Sequence, residues 1–342
     1  MQLLNTAADY ARTAATYARD PRGILRRFVE ASPALDVRDP ALHSLVSPEA
    51  SVEQIAGGLG FTEGPLWLGD HLLFSDLPFN RIVRWQETPA GVELTTFRYP
   101  SGGALDDPRP LRQPGSNGLT LDQERRLVAC EHGNRRVSRT EAGGEVVTLA
   151  DRYDGKRLNS PNDVVVRSDG VVFFSDPPYG LPAAEEGKEQ DVNGVYRVEP
   201  DGRVVRLVAD FDRPNGLAFS PDERTIYIAD TSRRHLRAFD VTPEGDLVNG
   251  RLFADMRHPE HGGPDGMKVD TQGHIYCTGA AGVWVFTSQG HLLGIIRTPE
   301  RPANCAFGGP DWQTLFITAQ RSVYRIRVQV PGIPVPSGPR RT

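Results

Sequence analysis

Cysteine is scarce: Cys130, Cys277 and Cys305 are the only three in 342 residues. Three thiols cannot all pair with one another, which excludes a disulfide-stapled scaffold, and buried free thiols are expected rather than a disulfide. Long hydrophobic runs are missing too. No run of about 18 apolar residues occurs, so neither a membrane-spanning helix nor a membrane partner is expected. In residues 1–30 every apolar stretch is interrupted by Asp9, Arg12, Arg19 or Asp20, so no signal peptide is expected; the reading is cytoplasmic, or periplasmic if the chain has been trimmed. Nor does one sign of charge dominate. The formal net charge is −5, and with no basic stripe interleaved with aromatics, nucleic acid is not an expected partner. The G-x-S-x-G elbow, H-E-x-x-H, the Walker loop and G-x-G-x-x-G after a strand are all absent, which disfavours serine hydrolases, zinc proteases, NTPases and dinucleotide enzymes. His258 and His261 form an H-x-x-H without the accompanying glutamate, so no metal is expected there.

Glycine and proline, by contrast, are plentiful at 35 and 28, and they fall between periodic segments as hairpin punctuation. The clearest unit is residues 213–231, where Pro-Asn-Gly and Ser-Pro-Asp are turn chemistry and Thr-Ile-Tyr-Ile is strand chemistry. Five related units surround it. Their anchors are Glu63, Asn117, Asn162, Asn215, Asp265 and Asn304, recurring at intervals of roughly 40 to 55 residues, as four-stranded repeats do. Each anchor precedes a short apolar run, then a strand such as residues 72–75 or 225–228, then a third strand such as residues 81–85, 194–198 or 282–286 with alternating burial. The expectation is an all-β, six-bladed β-propeller over residues 49–330, with residues 52–56 pairing onto the last blade to close the ring.

Two segments flank it. Residues 1–48 form an N-terminal helical extension, since Leu3, Leu4, Ala7, Ala11, Ala14 and Ala18 recur at helical spacing, with a second short helix at 24–31. It is expected to pack on the outside of a blade or on a partner subunit, the chain being a monomer or homodimer. Residues 331–342, with Pro331, Pro334, Pro336 and Pro339, read as an extended or disordered tail. Residues 100–116 and 177–193 are long turn-rich loops, candidates for the walls of a pocket.

In a propeller the loop entering each innermost strand faces the central channel, so the six anchors converge. Oxygen donors without histidine or cysteine suit a hard cation, and calcium tolerates irregular geometry better than magnesium. Glu63 and Asp265 contribute two negative charges, matching one divalent ion. Any single Asn-Gly or Asp-Gly also reads simply as a turn, but Glu63 is a poor turn former at the same place. His132, after an inner strand, stands as a pocket contact or a structural hydrogen-bonding group; Asp76, Asp176 and Asp230 are expected to tie strand ends to turns.

Four segments, Phe61-Thr-Glu-Gly-Pro-Leu-Trp, Ser160-Pro-Asn-Asp-Val, Arg213-Pro-Asn-Gly-Leu-Ala-Phe-Ser and Gly263-Pro-Asp-Gly-Met, resemble the signatures of the senescence-marker-protein and gluconolactonase family, also called regucalcin-like. The similarity covers the whole expected propeller. It implies a six-bladed ring with a channel-bound Ca2+, or another divalent cation, held by Glu63, Asn162, Asn215 and Asp265. Asn162 ligates in some relatives and contacts substrate in others; Asn117 is implied as a substrate contact or a group behind the ligands, and Arg157 stands near, not at, the place of a substrate-binding arginine of animal members. His132 and Tyr179 are further candidate substrate contacts on their positions in the sequence. The activity implied is hydrolysis of a sugar lactone, the cation polarising the carbonyl and Asp265 orienting or deprotonating the water. A binding propeller with a structural calcium, and a phosphotriesterase on the same metal, are the alternatives.

Overall fold

The computed structural model describes residues 34–336 except Pro108. The helices expected at 2–19 and 24–31, and the end of the tail, lie outside the described residues. Antiparallel sheets of four strands follow one another along the chain. The first blade is built from Thr62–Trp67, Leu72–Asp76, Arg81–Thr88 and Gly91–Arg98; the pattern repeats five times. The last ring position is assembled from both ends. Glu53–Ala56 is its outer strand, pairing Glu53 with Arg325 and Gln54 with Tyr324 beside Ser322–Arg327.

Burial explains why these runs are strands. The second strand of a blade, such as Leu72–Asp76 or Ile275–Gly279, is buried along its whole length, whereas Gly91–Arg98 at the rim is exposed. Inner strands are covered on both faces by neighbouring blades, so near-continuous apolar runs replace alternation. The core is accordingly divided: one apolar cluster fills each gap between adjacent blades. At the seam between last and first blades, Phe316 stacks on Trp67 with centroids 5.3 Å apart and meets Trp85 at 6.0 Å.

Both flanking segments pack on the ring. Leu35–Val37 adds a fifth strand to the outer edge of the fifth blade, and Leu42, Leu45 and Val46 bury themselves beside it. The tail, expected to be extended or disordered, runs over the ring at residues 331–336. Thr271 N donates to Pro331 O at 2.9 Å, Gly332 N donates to Trp312 O at 2.9 Å, and Ile333 to Pro336 close a small apolar cavity of about 110 Å³ at the far mouth of the channel.

Candidate active site

The anchors do not sit in hairpin turns. Glu63, Asn117, Asn215 and Asn304 lie inside innermost strands, where the ladder breaks register between Glu63 and Leu66, Ser116 and Leu119, Pro214 and Leu217, and Pro302 and Asn304. A bulge at that point re-aims one side chain out of the ladder. The glycine that follows four of the six anchors has a different task from turning the chain. A Cβ on Gly64 would lie 2.1 Å from Asn117 O, one on Gly216 2.3 Å from Asp265 O, and one on Gly266 2.0 Å from the Asn304 amide. Neighbouring innermost strands thus approach too closely for any side chain, which gathers the anchors on the axis.

There they form a directed chain of amides. Asn117 Nδ2 donates to Asn162 Oδ1 at 2.7 Å, Asn162 Nδ2 to Asn215 Oδ1 at 2.6 Å, and Asn215 Nδ2 to Thr231 Oγ1 at 3.0 Å. Thr231 Oγ1 passes its hydrogen to Pro264 O at 2.7 Å. On the other side Glu63 Oε2 accepts from Gly64 N and from Asn304 Nδ2, both at 2.9 Å. Asn117 Oδ1 is buried with no hydrogen-bond partner.

Glu63 is buried and Asp265 half-buried at the cavity floor, and Asp265 feels the charge of Glu63. Burial, then the charge of Asp163, pushes Glu63 up to about 7; burial, then the charge of Glu63, holds Asp265 well above the usual carboxylate range. Among the described residues no three His, Cys, Asp or Glu side chains form a metal-holding group, so a cation here has to be held by carboxylate and amide oxygens together. Those donors, with an orphaned Asn117 oxygen among them, fit a hard divalent ion.

Asp163 went unnoticed in the sequence. It follows anchor Asn162 where four other copies have glycine, it is buried, and burial raises it while the charge of Lys268, from the neighbouring strand Met267–Val269, opposes that rise. The carboxylates therefore number three, not two, and Lys268 supplies the charge that keeps the balance suited to one divalent ion.

A cavity of about 400 Å³ opens above this floor. Of the expected substrate contacts, Asn117 and Tyr179 line it, and the two long loops contribute Gln113 and Tyr179. The Tyr179 hydroxyl makes no well-formed hydrogen bond, although Thr231 and Asn215 are close, and Arg213 lies over its ring at 5.7 Å. His132 is placed differently. It is fully buried, with Nε2 3.3 Å from Asn117 Nδ2 and 3.2 Å from Asn162 Oδ1, and burial pushes it down to about 4, so it is neutral at ordinary pH. It supports two ring amides from below rather than lining the cavity. Arg157 is also absent from the lining: on the short hairpin strand Lys156–Arg157, its Nη2 donates to Asn134 O at 2.8 Å and its backbone N to Glu189 Oε2 at 2.7 Å. Asp76, Asp176 and Asp230 accept from backbone N–H groups leading into the innermost strands, as Asp176 does from Asn159 at 2.7 Å and Ser160 at 2.8 Å. Phe61, Ser232, Arg234, His261 and Arg301 add to the wall; Phe61 and His261 fell within motifs read for other reasons, and no motif pointed to Ser232, Arg234 or Arg301, which lie in loops and turns.

Comparison with known proteins follows the same outline. Residues 61–321 match the family model described as SMP-30/Gluconolactonase/LRE-like region. The chain is 37% identical over 309 residues to a gluconolactonase of Zymomonas mobilis, covering 86% of this chain and 85% of the relative. A pentonolactonase of Haloferax volcanii is 29% identical over 266 residues, 75% of this chain and 80% of its own. Among solved structures, a gluconolactonase of Xanthomonas campestris superposes with a TM-score of 0.73 at 36% identity, over 87% of this chain and 96% of that one.

Proposed function

The chain belongs to the SMP-30/Gluconolactonase/LRE-like family, and on that premise we propose that it hydrolyses a sugar lactone on a divalent cation, calcium first, held by Glu63, Asn162, Asn215 and Asp265. The observation that carries this reading is the carboxylate pair Glu63 and Asp265, Glu63 raised by burial and the charge of Asp163 and Asp265 by burial and the charge of Glu63, set among amide oxygens at the floor of an open cavity. When bound, the cation supplies polarisation of the lactone carbonyl and balances the negative charge that develops as water adds.

The side chains do the rest. Asp265 orients a water on the cavity floor and takes its proton as the water oxygen bonds to the carbonyl carbon. When the ring C–O bond breaks, that proton goes to the departing oxygen and an open hydroxy acid leaves. Asn117 and Tyr179 hold the sugar, one amide and one phenol facing the same space. His132, neutral and buried, keeps the Asn117 and Asn162 amides in register.

A pH-stat assay of glucono-1,5-lactone and a pentono-1,4-lactone, with protein stripped by chelator and then given back calcium, tests this. Turnover that disappears and returns with the ion supports it. Calcium that raises the melting temperature while no lactone is hydrolysed would make the ion a structural plug and the propeller a binding module.

A further inference from the structure

Arginine is used economically across this molecule: most guanidiniums are spent on a nearby carboxylate. At the cavity itself Arg213 donates to Glu185 at 2.6 Å, and next to Arg234 the side chain of Arg233 lies 3.7 Å from Asp230. Arg234 and Arg301 are different. Both line the cavity, and neither guanidinium has a hydrogen bond or ion pair among the described residues. Arg234 is fixed by its backbone: its N donates to Asp230 O and its O accepts from Met256 N, both at 2.9 Å, and its φ of 58° sets the turn that aims it. Arg301 immediately precedes the innermost strand Pro302–Gly308, within electrostatic reach of Asp265.

The charge balance of the cavity gives these two residues meaning. Glu63 and Asp265 are the only carboxylates among the described lining residues, and a divalent ion offsets both. The walls are then left with two uncompensated positive charges facing a space of about 400 Å³, a size suited to a hexose-sized ligand. A neutral polyol would leave both guanidiniums to water. A carboxylate or phosphate matches their fork geometry.

We propose that the substrate is an anionic sugar lactone, carrying a carboxylate or phosphate outside the ring, and that Arg234 and Arg301 bind this group while the ring carbonyl rests on the carboxylate and amide floor. The inference rests on the lactone-hydrolase reading and narrows its substrate class.

The test compares kcat/KM for glucono-1,5-lactone, glucaro-1,4-lactone and 6-phosphoglucono-1,5-lactone with calcium present, corrected for spontaneous opening. At low salt one charged lactone should exceed the neutral one by on the order of tenfold or more, with the carboxylate and phosphate arms identifying which group is read. The preference should shrink at 0.5 M NaCl on the order of a Debye length of a few ångströms, and collapse towards unity in Arg234→Gln/Arg301→Gln. Arg301→Gln alone, at an exposed position, serves if the double variant is poorly folded. A neutral lactone favoured over both charged ones, or a preference indifferent to the arginines, overturns the proposal and leaves the hydrolase reading standing. Calorimetry with glucarate, 6-phosphogluconate and gluconate, which need no turnover, separates the two: arginine-dependent binding of a dianion without hydrolysis of any lactone would sink the hydrolase reading and keep the anion site, whereas equal binding of all three would sink the anion site.

Discussion

At the scale of single residues, the floor of the cavity makes opposite demands on stability and function. Asp265→Asn removes a carboxylate held up by burial and by the charge of Glu63, so the metal-free protein should melt higher, while calcium affinity and lactone turnover fall, turnover by on the order of a hundredfold or more as for loss of a catalytic base. Melting curves and calcium titration on the same samples check both halves. The same carboxylates set a pH dependence. Their folded-state values lie above the unfolded ones, Glu63 at about 7, so the folded chain holds protons that the unfolded chain has released; the contribution of this pair to metal-free stability is full below the ordinary carboxylate range and is lost as pH rises through about 7. Thermal melts in chelator from pH 5 to 8 should fall, and excess calcium, which binds the deprotonated pair, should flatten the trend. A rise in the chelated series would contradict the burial and charge coupling described for these groups.

At the scale of elements, the close approach of innermost strands is the critical feature. Gly216→Ala places a methyl 2.3 Å from Asp265 O and 2.7 Å from Gly266 Cα, backbone that cannot swing aside, and should cost about 1–3 kcal/mol or more together with weaker calcium binding. Gly143→Ala, with nothing within 4 Å, should stay within about 0.5 kcal/mol; denaturant unfolding of the pair measures the contrast. These glycines also mark the limit of what could be read beforehand. Strand positions were legible because inner strands such as Val172–Asp176 and Thr225–Asp230 are dense in β-branched and aromatic residues, and the anchors were legible as a repeat. That Asn-Gly serves a bulge instead of a turn was not, because both conformations accept the same dipeptide and only packing against the next blade decides. Asp163 and Lys268 escaped for a related reason: their charges matter only through burial beside Glu63. That His132 and Arg157 lie off the cavity lining was not legible, because sequence distance to an anchor says nothing about which side of the ring amides a side chain enters.

At the scale of the whole molecule, stability depends on the seam between the first and last blades. Phe316 packs between Trp67 and Trp85 there, and Phe316→Ala should cost about 3–5 kcal/mol, seen as a lower denaturation midpoint. The same seam has a temporal side. Glu53–Ala56 is synthesised before any blade, and its partner Ser322–Arg327 is the last of the described strands to be made; Asn304, which Glu63 needs as a hydrogen-bond donor across 241 residues of chain, belongs to the same last blade. A nascent chain on the ribosome can stack its early blades in turn, yet Glu53–Ala56 waits unpaired and the floor of carboxylates and amides stays incomplete until the last segment leaves the exit tunnel.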